Sequence, residues 1–107
     1  MSYEISKARV FTVDLDEIFV YIGVENIEAA LRFVDAVDST LGLISSQPFA
    51  GFQREFYNET LGPVRFWLVR GFDRYLIAYQ PDRESRRVRA LRLLNSYRDF
   101  NPIFADE

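Results

Sequence analysis

Cysteine and histidine are both absent from this 107-residue chain. The first absence removes disulfides and thiolate chemistry. The second removes the commonest acid-base catalyst, and together they take away the usual ligands of zinc and any Ser-His-Asp triad. No metal site is expected. Lysine is almost missing too, Lys7 being the single example among thirteen basic residues. The cationic groups are therefore arginines, planar forks suited to carboxylate or phosphate and to stacking on aromatic rings. No run of about 18 apolar residues and no basic-then-apolar leader occurs, so the expectation is a cytoplasmic protein with no membrane contact. A glycine-rich phosphate loop is also lacking, and no nucleotide or other cofactor is expected.

What is present is apolar and aromatic. Hydrophobic residues make up 49% of the chain and aromatics 16%, enough for one core but not two, so a single domain over residues 1–107 is expected. Charge is unevenly spread. Residues 1–47 hold eight acidic and three basic side chains, whereas residues 64–98 hold nine arginines against Asp73, Asp82 and Glu84. The plain reading of those arginines is a solvated strand face that keeps sheet edges unpaired. The functional reading is a surface for an anionic partner.

Residues 64–94 organise the rest. Three apolar runs, VRFWLV, RYLIAY and VRALRLL, are separated by turn signals at Arg70-Gly71 and at Pro81 to Ser85. This pattern predicts a three-stranded antiparallel meander in chain order. Tyr75 to Tyr79 carries no charge, which suits a central strand covered on both faces. Upstream, Tyr3 to Ser6 alternates polar and apolar residues and reads as a short edge strand. Ala8, Phe11, Leu15, Ile18, Phe19 and Ile22 then fall at helical spacing, with Ser6 or Thr12 as the expected cap and Gly23 as the expected end. Asp14, Asp16 and Glu17 read as that helix's solvated face. A second helix over 27–45 follows, capped by Asn26, its stripe formed by Ile27, Ala30, Leu31, Val34, Val37, Leu41 and Ile44. Pro48 stops it, and residues 48–63 read as a connection packed along the domain through Phe49, Phe52, Phe56 and Tyr57.

The predicted fold class is α+β: an N-terminal strand and a two-helix antiparallel hairpin on a three- to four-stranded antiparallel sheet, with a short C-terminal tail or helical turn. Helices on one side leave a second face, where a docking groove would set Trp67, Tyr79 and several arginines in the open; without such a groove, the face shared by Tyr75 and Tyr79 is expected to be core.

These ordered signals resemble the RelE/ParE toxin superfamily of bacterial type II toxin-antitoxin systems, the ParE branch in particular. The pieces are Asp14-Leu15 with Ile18 and Tyr21-Ile22, Ala30 with Arg32-Phe33-Val34, and Pro48 with Gly51. Next come Val64-Arg65, Gly71-Phe72 with Tyr75-Leu76-Ile77 and Tyr79, and last Leu91 to Leu94 followed by Arg98-Asp99. The specificity lies in their order and spacing along nearly the whole chain. Asn95 stands where many members carry histidine.

The resemblance implies a small toxin neutralised by a cognate antitoxin that wraps it. ParE-type members inhibit DNA gyrase; RelE-type members cleave messenger RNA on the ribosome. It implies no sequence-specific DNA binding by the toxin alone. The expected partner-binding residues are Arg65, Trp67, Tyr79, Arg87, Arg89, Arg92 and Arg98. An RNase would have to work with Arg65, Arg92 and Tyr97, because arginine stabilises phosphoryl charge but stays protonated, which leaves the base to Tyr97 or a carboxylate. A binding toxin needs no such group, and an acidic chain gains nothing in approaching polyanionic RNA. The binding reading is therefore preferred. An inactive or structural member of the same fold is the third reading.

Overall fold

A computed structural model describes residues 2–54 and 63–97. Its elements are β1 (Glu4–Lys7), α1 (Arg9–Glu25), α2 (Ile27–Ser46), β2 (Phe52–Arg54), β3 (Val64–Val69), β4 (Phe72–Asp82) and β5 (Arg87–Asn95). They build one five-stranded sheet in the order β1-β5-β4-β3-β2. The predicted meander is there: β3 pairs antiparallel with β4 and β4 with β5. Tyr75 to Tyr79 is buried at every position, as a central strand covered on both faces requires.

Two features of the sheet differ from the expectation. Phe52–Arg54, read as part of a connection, forms an extra strand antiparallel to β3, with Phe52 stacked on Phe66 at 5.4 Å. Three residues are too few to show a period of two. The second difference is that β1 pairs parallel with β5, which makes the sheet mixed. The chain does not reverse between β1 and α1. Lys7 lies opposite Ala90, the Ala8 N–H donates to the Ala90 carbonyl, and Asp14 then meets Leu93 further along the same strand. Ser45, near the end of α2, comes back to Tyr3. One reversal into α2 and the turns of the meander then leave β5 running with β1.

The helix ends follow local chemistry. Asn26 caps α2 as expected, its Oδ1 accepting from the Ala29 N–H at 3.0 Å. The cap of α1 is Ala8, with no side-chain hydrogen bond; Thr12 instead donates to the Arg9 carbonyl. Gly23 does not end α1, which runs on to Glu25, and the small residue faces Ala30 and Ile27 across the helix pair. Gly71 supplies the positive φ of the β3–β4 turn at 81°.

The helical hairpin covers one face of the sheet. There Phe11, Phe33, Val37 and Ile44 pack with Val69, Ile77, Tyr79, Val88 and Leu93. Residues of opposite parity, Val64, Phe66, Leu76, Ala78 and Leu94, form a second buried cluster on the other face. Of the two predicted helical stripes, Ala8, Phe11, Ile18, Ala30, Val37, Leu41 and Ile44 are buried, Leu15, Phe19, Ile22 and Val34 are half-buried, and Ile27 and Leu31 are exposed. Phe33 and Thr40 take the places that a simple stripe gave to Leu31 and Val34. The expected roles of Phe56, Tyr57 and the C-terminal tail lie outside the described residues.

Candidate functional site: an arginine-lined end of the sheet

The end of the sheet where β3 begins and β4 turns into β5 gathers Arg65, Arg83, Arg86, Arg87 and Arg89. Arg65 sits on β3 opposite Tyr79, on the helix-side face. Its Nη1 donates to the carbonyls of Phe49 at 2.9 Å and Gly51 at 3.0 Å, which pins the segment leaving α2. Beneath it, the Gly51 N–H donates to the Tyr79 hydroxyl at 3.1 Å. A side chain at position 51 would start 2.8 Å from the Phe66 carbonyl and closer still to that hydroxyl, so only glycine fits. Burial pushes the Tyr79 phenol above its ordinary 10.0, an effect the Gly51 hydrogen bond and the Arg65 charge partly oppose.

Phe49 is the aromatic centre of this end. The Arg65 guanidinium lies 5.3 Å from its ring centroid and that of Arg83 lies 4.1 Å away, while Tyr3 meets it edge-on at 6.1 Å. Arg83 comes from the β4–β5 turn, which Asp82 shapes by accepting from the Glu84 N–H and the Ser85 hydroxyl. A groove of about 470 Å³ opens here, its walls including Ser6, Gln80, Arg65, Arg87 and Arg89. Arg87 is exposed and pairs with Glu4 at 3.4 Å, and neither partner is shielded from water. Arg83 and Arg89 make no ion pair among the described residues. Chemically, the groove offers arginine forks and side-chain amides to an anion, while the Asp82 carboxylate, which holds the Ser85 hydroxyl, also lines it.

The other expected site residues are elsewhere. Tyr79 is fully buried, so it belongs to the core and not to an open face. Trp67 is half-buried against the helix-side core, because its parity on β3 is that of Val69 and not that of Phe66. Arg92 turns toward α1: its Nε and Nη2 donate to Asp14 at 2.8 and 3.2 Å. Asp14, expected on a solvated helix face, is buried and also accepts from the Leu93 N–H at 2.9 Å. β1 pairs β5 only as far as Ala90, and this carboxylate serves the edge just beyond it. Tyr97 is exposed at the opposite end of the sheet, with Arg74 stacked on its ring at 4.9 Å. Arg98 lies outside the described residues.

Arg65, Arg92 and Tyr97 are thus not brought together. Arg65 and Arg92 are two strand spacings apart, about 10 Å, and four β4 residues, about 13 Å, separate the Arg65 row from the Asn95 row next to Tyr97. What sequence reasoning missed is the framework of the site: Phe49, Gly51 and Arg83. Its one available signal was Phe49-Ala50-Gly51 directly after a helix-stopping proline.

A family model described as the ParE toxin of the type II toxin-antitoxin system, parDE, matches residues 7–100. The chain belongs to the ParE toxin family. It is therefore a toxin of a type II module, and the family implies an antitoxin partner. No curated protein matches the sequence significantly. The match spans every element from α1 to β5, so the arginine-lined end belongs to the ParE domain itself. No helix among the described residues is long and apolar enough to cross a membrane.

Proposed function

We propose that this ParE-family chain is a binding toxin that inhibits DNA gyrase, and that its antitoxin neutralises it partly through an acidic segment docked on the arginine-lined end. The family match carries the reading. The state of the three side chains that RNA cleavage would recruit supports it: Arg92 is held by Asp14, Arg65 by two backbone carbonyls, and Tyr97 stands at the far end of the sheet. A phosphoryl-transfer site needs its cation and base around one phosphate, within hydrogen-bond reach. A binding toxin needs only a rigid scaffold and a complementary surface. Arg83 and Arg89, without ion pairs among the described residues, and the groove beside them fit an acidic peptide.

The deciding experiment runs the purified protein against gyrase and against programmed ribosomes. The expected result is loss of supercoiling or trapped cleaved DNA, with messenger RNA intact. Tyr97→Phe should keep most of the toxicity, whereas an RNase relying on that hydroxyl would lose on the order of 10²-fold in rate. Ribosome-dependent RNA cuts abolished by Tyr97→Phe, with the fold intact, would overturn the reading.

A further inference from the structure

The outer face of α1 carries a pattern that neither the core nor the arginine-lined end uses. Val10, Val13, Glu17, Val20 and Val24 follow one another at spacings of three, four, three and four residues. That is a heptad seam of two full repeats, about 21 Å long at 1.5 Å per residue. The helix's core-facing residues, Phe11, Asp14 and Ile18, point another way. The four valines are 42%, 42%, 61% and 80% exposed. Single exposed apolar residues are ordinary on a protein surface, but a continuous seam along one helix is not. Glu17 stands at its centre, exposed and without an ion pair among the described residues.

Glu17 decides what fits the seam. An antiparallel second copy centred on Glu17 would set Glu17 against Glu17, and one shifted along the seam would bury Glu17 against a valine with no counter-charge. Parallel pairing in register makes the same clash. Asp16 beside it adds to the repulsion. A polar residue at a single seam position is a device for choosing a partner and a register. We infer that the outer face of α1 is half of a coiled-coil-like interface for an amphipathic helix of a partner protein, with an apolar heptad seam and an arginine or lysine opposite Glu17. This surface is separate from the arginine-lined end, and it selects for the opposite charge.

Two synthetic helical peptides of roughly three heptads, identical but for lysine or glutamate at the central seam position, test it by fluorescence anisotropy against the full chain. The lysine peptide should bind about tenfold or more tightly than the glutamate peptide, as opposite against like charges at a partly desolvated contact do. Glu17→Lys should invert that order, and Val20→Asp should abolish binding of both peptides while leaving circular dichroism and the melting curve unchanged. Equal binding of the two peptides, no binding of either, or an order unaffected by Glu17→Lys overturns the inference. Sedimentation showing a dimer that Val20→Asp dissolves would also overturn it, by assigning the face to a second copy.

Discussion

Removing the Asp14 carboxylate should be among the most damaging single changes that leave the hydrophobic core untouched. Asp14 accepts three hydrogen bonds, two from Arg92 and one from the buried Leu93 N–H, and its side chain is only 10% exposed. Asp14→Ala takes the Asp14 charge and two hydrogen bonds away from the guanidinium and leaves the Leu93 N–H without this acceptor. Breaking a buried pair by deleting one partner costs about 3–5 kcal/mol. The Arg92 side chain is 36% exposed, so water recovers part of that loss, and about 2 kcal/mol is the better figure for the pair. The orphaned N–H adds about 1 kcal/mol. A total of about 3 kcal/mol is a large share of the roughly 5–15 kcal/mol that holds a domain folded. It corresponds to a fall in Tm on the order of 15 °C for a chain of this size. Asp14→Asn keeps an acceptor for Leu93 and should lose only about 1–2 kcal/mol.

Urea melts followed by Trp67 fluorescence and by far-ultraviolet circular dichroism give the free energies. A double-mutant cycle of Asp14→Ala with Arg92→Met isolates the pair, and a coupling of about 1–2 kcal/mol is expected. Should Asp14→Ala melt within about 0.5 kcal/mol of the unmutated protein, the range of ordinary surface substitutions, the carboxylate would not be holding α1 to β5.

Two further outcomes follow from the arginine-lined end. Tyr79→Phe should cost about 1–2 kcal/mol, because the Gly51 N–H loses its acceptor in a site without room for a replacement. The unmutated protein should also lose stability in alkali: the phenol's folded pKa lies above its unfolded value near 10.0, so its contribution is full below pH 10 and falls as pH climbs toward the folded value. Tyr79→Phe should flatten that part of the stability profile, and an unchanged slope above pH 10 would contradict the assignment. For the antitoxin, Arg89→Glu should weaken binding by about tenfold or more, whereas Trp67→Ala should act mainly on stability. Equal affinity of the Arg89→Glu protein, measured by titration calorimetry, would move the docking site elsewhere.

The elements that were legible in the sequence are those long enough to show a period. Residues 27–46 fill more than five turns behind an asparagine cap, and the uncharged run Tyr75–Tyr79 could only be a central strand. β2 has three residues and shows no period. The parallel pairing of β1 was hidden for another reason: a strand four residues long says nothing about direction. Direction was set by Ala8 and Asp14, which carry the chain onward along β5 without a reversal.

For the site, the sequence supplied the residue types but not their partners. Arg65, Arg87, Arg89 and Arg92 look alike on paper, each an arginine in a strand of alternating polarity. Period-two counting assigns a side chain to a face of the sheet, yet a guanidinium is long enough to leave that face. Arg92 does so, reaching past the strand edge to a helix 78 residues earlier in sequence. The carboxylate it meets was equally hidden, since Asp14 sits between Val13 and Leu15 in what reads as a helix's polar flank. What separates a structural arginine from an available one is whether an acceptor has been folded against it. By that criterion Arg65 and Arg92 are held in place, Arg87 shares an exposed pair, and Arg83 and Arg89 have no such acceptor among the described residues. An anion entering the groove would therefore meet Arg89 without first displacing a protein acceptor, and Arg83 stands beside it on the Phe49 ring that lines the groove. The largest losses of antitoxin affinity with the smallest losses of stability belong at those two positions.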